Sequence, residues 1–241
     1  MDDKGLLCGH AGTYKNSLLR ALGPEMIERL CLHPVTFEIR REIEFPGNPI
    51  DNIFFIEEGM ASMTTTFKDG SQVEVGMFGC GSVIGISALM GTKRSLNHVY
   101  TQIPGHGYSS PVEAASREFN LGGVFQTLAL RYVQAQLVQA FQSAGCNAKH
   151  NVEERLARWL LLCADRVGSN TFEMSHEFLG DMLGSSRPAV SIAAGALKDA
   201  GLIEYSRGVI SILDVPGLEK RACECYPVVR NLVDGLYRQG D

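Results

Sequence analysis

The sequence has no Cys-x-x-Cys pair. Its seven cysteines, Cys8, Cys31, Cys80, Cys146, Cys163, Cys223 and Cys225, are scattered and odd in number, which argues against a disulfide framework or a zinc ribbon and leaves reduced thiols as the simplest reading. No stretch approaches the roughly 20 consecutive apolar residues that cross a bilayer. The opening Met1-Asp2-Asp3 leads into no basic segment with an apolar run behind it, so neither membrane insertion nor secretion is expected and the cytoplasm is the expected location. Positive charge is also short: 22 Lys and Arg stand against 27 Asp and Glu, a net charge of −5. A nucleic-acid partner would therefore have to be recognised by a local surface. The six histidines form no HExxH, and no serine sits in a GxSxG elbow, so catalysis has nothing to stand on and no enzyme is expected. The run Gly79-Cys80-Gly81-Ser82-Val83-Ile84-Gly85 superficially imitates a dinucleotide fingerprint, but its third glycine comes one residue late and no βαβ pattern follows. No cofactor and no metal are expected.

What is present is an ordinary globular balance, 45% hydrophobic against 20% charged over 241 residues, enough for two domains without a covalent staple. Residues 16–33 carry Leu18, Leu19, Leu22, Met26, Ile27 and Leu30 at helical spacing, broken at Gly23-Pro24. From about 35 the texture turns to short β-favouring runs, at 36–39, 52–56, 61–66 and 72–75, cut by glycines and by the hairpin signal Asp69-Gly70. Many short strands with regular turns predict a β-roll or jelly roll. A helix is predicted over about 121–145 with two apolar stripes, one with Leu130, Val133, Leu137, Phe141 and Ala144, the other with Phe125, Leu128, Tyr132, Ala135 and Val138. One stripe suffices for packing on the chain's own β-domain, so the second points to a second copy of the helix or to burial within one subunit.

The domain boundary falls near 146–150, and Asn151 with Glu154 three residues on predicts a capping box for a helix that stops at Gly168. A short strand at 172–174, two helices around Gly184-Ser185-Ser186, and a hairpin flanking Ser206-Arg207-Gly208 follow in the order of a winged helix-turn-helix. The expected fold is thus α+β: a β-roll sensor with N-terminal helices over 1–120, a dimerisation helix and hinge over 121–147, and a winged helix-turn-helix over 148–241.

In the second helix of that motif Val190, Ala194 and Leu197 point inward. The outward side carries Arg187, Pro188, Ser191, Ile192 and Gly195, with Lys198 at its far end. That side is small, offers one basic fork at the helix N-terminus, and lacks the Lys and Glu of a solvated face. Arg187 can donate bidentately to guanine, and Ser186 and Ser191 can bond phosphate or a base edge. A helical corner in an unrelated bundle is the competing reading, and the acidic C-terminal domain keeps open a module that meets protein and never DNA.

These segments together resemble the Crp/Fnr family of bacterial transcription regulators. The run EFPGNPIDNIFFIEEGMAS at 44–62, the Asp69-Gly70 hairpin and FGCGSVIGISALMG at 78–91 are similar to that family's cyclic-nucleotide-binding roll. The resemblance implies that Ser185, Ser186, Arg187, Pro188, Ser191 and Ile192 approach DNA with Arg207 at the wing tip. It also implies a dimer joined through Leu130, Val133, Leu137 and Phe141. The partners it implies are double-stranded DNA, a second copy of the chain, and RNA polymerase. It implies an effector pocket at Gly85, Ile86, Ser87, Arg94 and Ser95.

Two departures stand out. Pro188 replaces the Glu that usually follows the family's recognition arginine, so the family's usual half-site does not carry over. Ile86 replaces the Glu that grips the ribose of cyclic AMP, whereas the phosphate-binding pair survives as Arg94-Ser95. Cyclic AMP is therefore expected to bind weakly or not at all. Cys8, Cys31 and Cys80 lie in the sensory half but too far apart for the cluster that some relatives carry there. Cys223-Glu224-Cys225 is expected in a C-terminal helix, where residues two apart face different sides and make no single metal site.

Overall fold

The computed structural model describes residues 14–235, without the side chains of 176, 177 and 233–235; Cys8 lies outside the described residues. The chain opens with α1 (Ser17–Arg20), capped by the Asn16 side chain, and α2 (Pro24–Arg29), which starts on the predicted Gly23-Pro24 break. Eight strands follow: β1 (His33–Phe37), β2 (Glu42–Glu44), β3 (Asn52–Ile56), β4 (Met60–Thr66), β5 (Gln72–Phe78), β6 (Val83–Ile84), β7 (His98–Ile103) and β8 (Gly105–Pro111). They form two antiparallel four-stranded sheets, β1-β8-β3-β6 and β2-β7-β4-β5. Phe37, Ile56, Ala61, Phe78, Ile84 and Val99 fill the space between them. This is the predicted roll, and the Asp69-Gly70 turn joins β4 to β5 with Asp69 accepting from the Ser71 N–H.

After α3 (Val112–Asn120) comes α4 (Val124–Lys149). It begins after Gly122-Gly123 and runs past Gly145-Cys146-Asn147, where periodicity alone ends it. A single interior glycine costs a helix about 1 kcal/mol relative to alanine. Here that cost is offset by complete burial of the adjacent Cys146. Phe125, Leu128, Ala129 and Tyr132 pack with Leu18, Leu19 and Ile53 on the chain's own sensor. Among the described residues the opposite stripe stays largely open: Leu130 is 49%, Leu137 52% and Phe141 70% exposed, with Val133 half-buried.

The second domain comprises α5 (Val152–Val167), β9 (Thr171–Glu173), α6 (His176–Leu183), α7 (Arg187–Asp199), β10 (Ile203–Ser206), β11 (Val209–Ile212), α8 (Val215–Arg221) and α9 (Cys225–Gly235). The capping box predicted at the start of α5 is complete: Asn151 accepts from the Glu154 N–H and the Glu154 carboxylate accepts from the Asn151 N–H. The helix ends on Gly168 in the left-handed conformation. Strands β10, β11 and β9 make an antiparallel wing sheet. Cys223 and Glu224 lie in the link between α8 and α9, not in a helix, so the expectation that helical geometry separates Cys223 from Cys225 does not hold.

The two domains share packing. Met60 and Met77 of the sensor join the core of Leu156, Trp159, Leu179 and Met182. Gly79 meets α5 so closely that an added Cβ would stand 2.5 Å from the Arg166 Cβ.

Candidate nucleic-acid interface and sensor site

The helix-turn-helix is built by three local devices. Ser175 caps α6 by accepting from the Phe178 N–H, Gly184 closes it in the left-handed conformation, and Ser186 caps α7 by accepting from the Ala189 N–H at 3.4 Å. Pro188 lies in the first turn of α7, where the helix has no use for its missing N–H. Val190, Ala193, Ala194 and Leu197 are buried against α5 and the wing. The inward face is the expected one with Ala193 added. Ser186, Arg187, Pro188 and Ile192 are exposed, Ile192 at 74%, and Ser185, Ser191 and Gly195 are half-buried. An exposed isoleucine beside an arginine and a serine on a helix N-terminus is a surface shaped for contact. Lys198 at the far end is paired with Glu204 at 2.7 Å.

Arg207 and Gly208 form the wing-tip turn, both with positive φ, 52° and 81°. Arg207 also lines a cleft of about 640 Å³ between the wing and the sensor, with Arg40, Glu42, His98 and Tyr100 on its other wall. Its surroundings in this conformation therefore include the sensor sheet, which sequence order did not reveal.

The predicted effector residues divide into two groups. Gly85 has φ 85° and no room for a Cβ, which would stand 2.7 Å from the Asn52 carbonyl oxygen. Its N–H and the buried Ser95 hydroxyl both donate to the Glu44 carboxylate. Arg94 points elsewhere: its guanidinium is exposed and donates to the Gly47 carbonyl oxygen at 2.7 Å. Ile86 packs toward the core that holds Leu89 and Ala115, and Ser87 follows it in a 3-10 turn. So the structure brings Gly85 and Ser95 together but around an internal carboxyl group, with the Arg94 guanidinium turned to the Gly47 carbonyl.

Glu44 was invisible to sequence reading because a strand written Glu42-Ile43-Glu44 looks exposed on its glutamate face. Burial raises its carboxyl above the ordinary range, opposed by the bonds from Ser95 and Gly85. A cyclic phosphate at this place would have to displace this carboxyl or share its donors.

The interdomain contact holds a second carboxylate that sequence reading missed. Glu74 of β5 accepts from the Trp159 indole N–H at 2.8 Å and from the Ser62 hydroxyl. Burial pushes its carboxyl up to about 7, against these two bonds and the nearby Arg158 charge. The Gln102 amide donates toward the Met182 sulfur of α6 at 3.0 Å, tying the sensor to the helix before the turn.

A β-roll of the cyclic-nucleotide-binding type, joined by a long helix to a winged helix-turn-helix whose second helix has an exposed face, defines a DNA-binding transcription regulator. Residues 35–109 match the cyclic nucleotide-binding domain and residues 154–221 the Crp-like helix-turn-helix domain. The chain belongs to the Crp/Fnr family of transcription regulators. It is similar to the global nitrogen regulator of Nostoc sp., 24% identical over 187 residues that cover 73% of this chain and 83% of the relative. In fold it is similar to FixK2 from Bradyrhizobium japonicum, with a TM-score of 0.69 at 16% identity, covering 80% of this chain and 98% of that one. It is likewise similar to a Crp/Fnr-family transcriptional regulator from Thermus thermophilus, with a TM-score of 0.65 at 21% identity, covering 79% and 98%. The reading in which the helical domain never meets DNA falls with the family assignment.

Proposed function

We propose that two copies of the chain join through Leu130, Val133, Leu137 and Phe141 of α4 and read an inverted repeat with two copies of α7, without cyclic AMP. The observation that carries this reading is the pairing of an uncovered apolar stripe on α4 with an exposed, small-residue face on α7. Burying the stripe in a two-fold dimer removes its apolar surface from water, and the same two-fold sets the recognition helices about one DNA turn apart.

In this reading Arg187 donates to guanine in the major groove. Ser185, Ser186 and the α7 N-terminus hold the backbone, and Ser191, Ile192 and Pro188 shape the contact with the base edges. Arg207 reaches the flanking phosphates once the wing turns from the sensor cleft. The regulator acts in the cytoplasm, where RNA polymerase is its further partner; among the described residues no helix is long and apolar enough to cross a membrane.

Independence from cyclic AMP is supported by Glu44. Its buried carboxyl already takes the Ser95 hydroxyl and the Gly85 N–H, the donors that a cyclic phosphate would need there. A gel-shift titration of purified, nucleotide-free protein against its selected DNA site tests the reading. Tight binding that cyclic AMP leaves within a few-fold is expected, and binding that appears only with the nucleotide overturns it.

A further inference from the structure

We propose that Cys146, His150, Cys223 and Cys225 bind one thiophilic divalent ion of the zinc class, which pins the end of α4 to the link between α8 and α9. The site is independent of how the protein reads DNA. Its ligands come from segments 77 positions apart, which is why spacing in the sequence gives no hint of it.

Four observations carry the assignment. The three Sγ atoms and a ring nitrogen of His150 all lie within 4.8 Å of one another. Cys146 and Cys223 sulfurs are 3.5 Å apart, and Cys225 Sγ is 3.6 Å from His150 Nδ1. A zinc–sulfur bond of roughly 2.3 Å places tetrahedral sulfurs roughly 3.8 Å apart, so these separations fit one central ion. They are too long for a disulfide, and Cys146, Cys223 and Cys225 stand as free thiols. They are too tight for an iron–sulfur cluster, whose outer ligands are held apart by the irons and sulfides between them.

The second observation concerns His150. Its Nδ1 faces the sulfurs while its Nε2 lies 3.0 Å from the Glu224 carboxylate. A carboxylate behind a histidine fixes the ring and the tautomer that turns a lone pair toward a metal. Third, the Gln142 amide donates to Cys225 Sγ at 3.0 Å, a contact that steadies a thiolate. Fourth, the charges match. Three thiolates and one dication leave a net negative charge, and the Arg155 guanidinium is buried within electrostatic reach of Cys146 and Cys223. The three cysteines are buried and His150 nearly so, giving a closed site with four protein ligands, the pattern of a structural ion.

The test uses the full chain, purified reduced and without a histidine tag. After incubation with zinc sulfate and desalting, elemental analysis is expected to find about one zinc per chain. Cobalt(II) in place of zinc is expected to give thiolate-to-metal charge-transfer bands that zinc then abolishes. Cys223→Ser and Cys225→Ser are expected to lose the retained metal, whereas Cys31→Ser, far from the site, keeps it. Glu224→Gln is expected to weaken zinc about 10- to 100-fold while leaving the cobalt spectrum tetrahedral. Wild type is decisive even where a cysteine variant folds poorly. Desalted wild-type protein without zinc, a cobalt spectrum without thiolate bands, native iron–sulfur absorption, or a Cys146–Cys223 disulfide in freshly purified protein each overturns the assignment.

Discussion

The Trp159 indole N–H, on the first helix of the DNA-binding domain, donates to the Glu74 carboxylate of the sensor sheet at 2.8 Å. With Ser62 on its other oxygen, Glu74 has its acceptors matched yet is half-buried between the two domains, with little water around the charge. Its folded value of about 7 lies above the ordinary 4.5. Between those two values the folded chain keeps a proton that the unfolded chain has released. The stability is therefore present at low pH and lost as pH rises through 7, by an amount on the order of 2–3 kcal/mol. Arg158 opposes the shift, and Tyr100 and Cys163, both pushed upward, stay neutral through this window.

Glu74→Gln removes the charge while its amide oxygen can still accept from the Trp159 indole and its NH2 can donate to the Ser62 hydroxyl, reversing that bond. Melting curves are expected to show wild-type Tm falling between about pH 5 and pH 8 with the variant nearly flat and more stable at the upper end. Parallel curves would mean that Glu74 does not set the pH response of the interface.

Leu137 is half-exposed on the uncovered stripe of α4. In a dimer seam Leu137→Glu buries an unpaired carboxylate, a penalty of several kcal/mol. Light scattering is expected to find folded monomers at low micromolar concentration. A variant that remains dimeric places Leu137 outside the seam.

Arg187→Ala removes one bidentate donor and is expected to cost about 1–3 kcal/mol of specific binding and to relax preference at one guanine in each half-site. Equal binding curves for the two proteins on the selected site contradict a base-reading role. Arg207→Ala is expected to weaken binding alike on all sequences and to lower the salt dependence, because a phosphate contact carries no sequence information.

The effector prediction rests on Glu44. Calorimetry with cyclic AMP at roughly 100 μM is expected to give no saturable heat and no more than a few-fold change in DNA affinity. A low-micromolar dissociation constant coupled to a large gain in DNA affinity would show that the nucleotide displaces Glu44 from Ser95 and Gly85.

Much of the architecture was legible because it is written in local chemistry. The strand at 52–56 and the hairpin strand at 209–212 fall where β-branched runs end at turns. Asn151 and Glu154 announce their capping box by spacing alone. The recognition helix was legible for the same reason, since Gly184, Ser186 and Pro188 are local stop and start signals. What escaped was long-range. Glu44 meets Ser95 across 51 positions and Trp159 meets Glu74 across 85, and no periodicity encodes a buried acid whose partners lie on other elements. The reach of α4 past Gly145 depends on Cys146 finding a buried place beside Cys223, which is likewise a tertiary fact.

Selection of bound sequences from a random double-stranded DNA pool tests most directly whether this chain is a dimeric, sequence-reading regulator that needs no nucleotide. Nucleotide-free protein is expected to enrich an inverted repeat whose half-site centres lie about 10–11 base pairs apart, with a guanine in each half-site that Arg187→Ala no longer selects. A pool that stays random, or one that converges on an unpaired or directly repeated element, contradicts it.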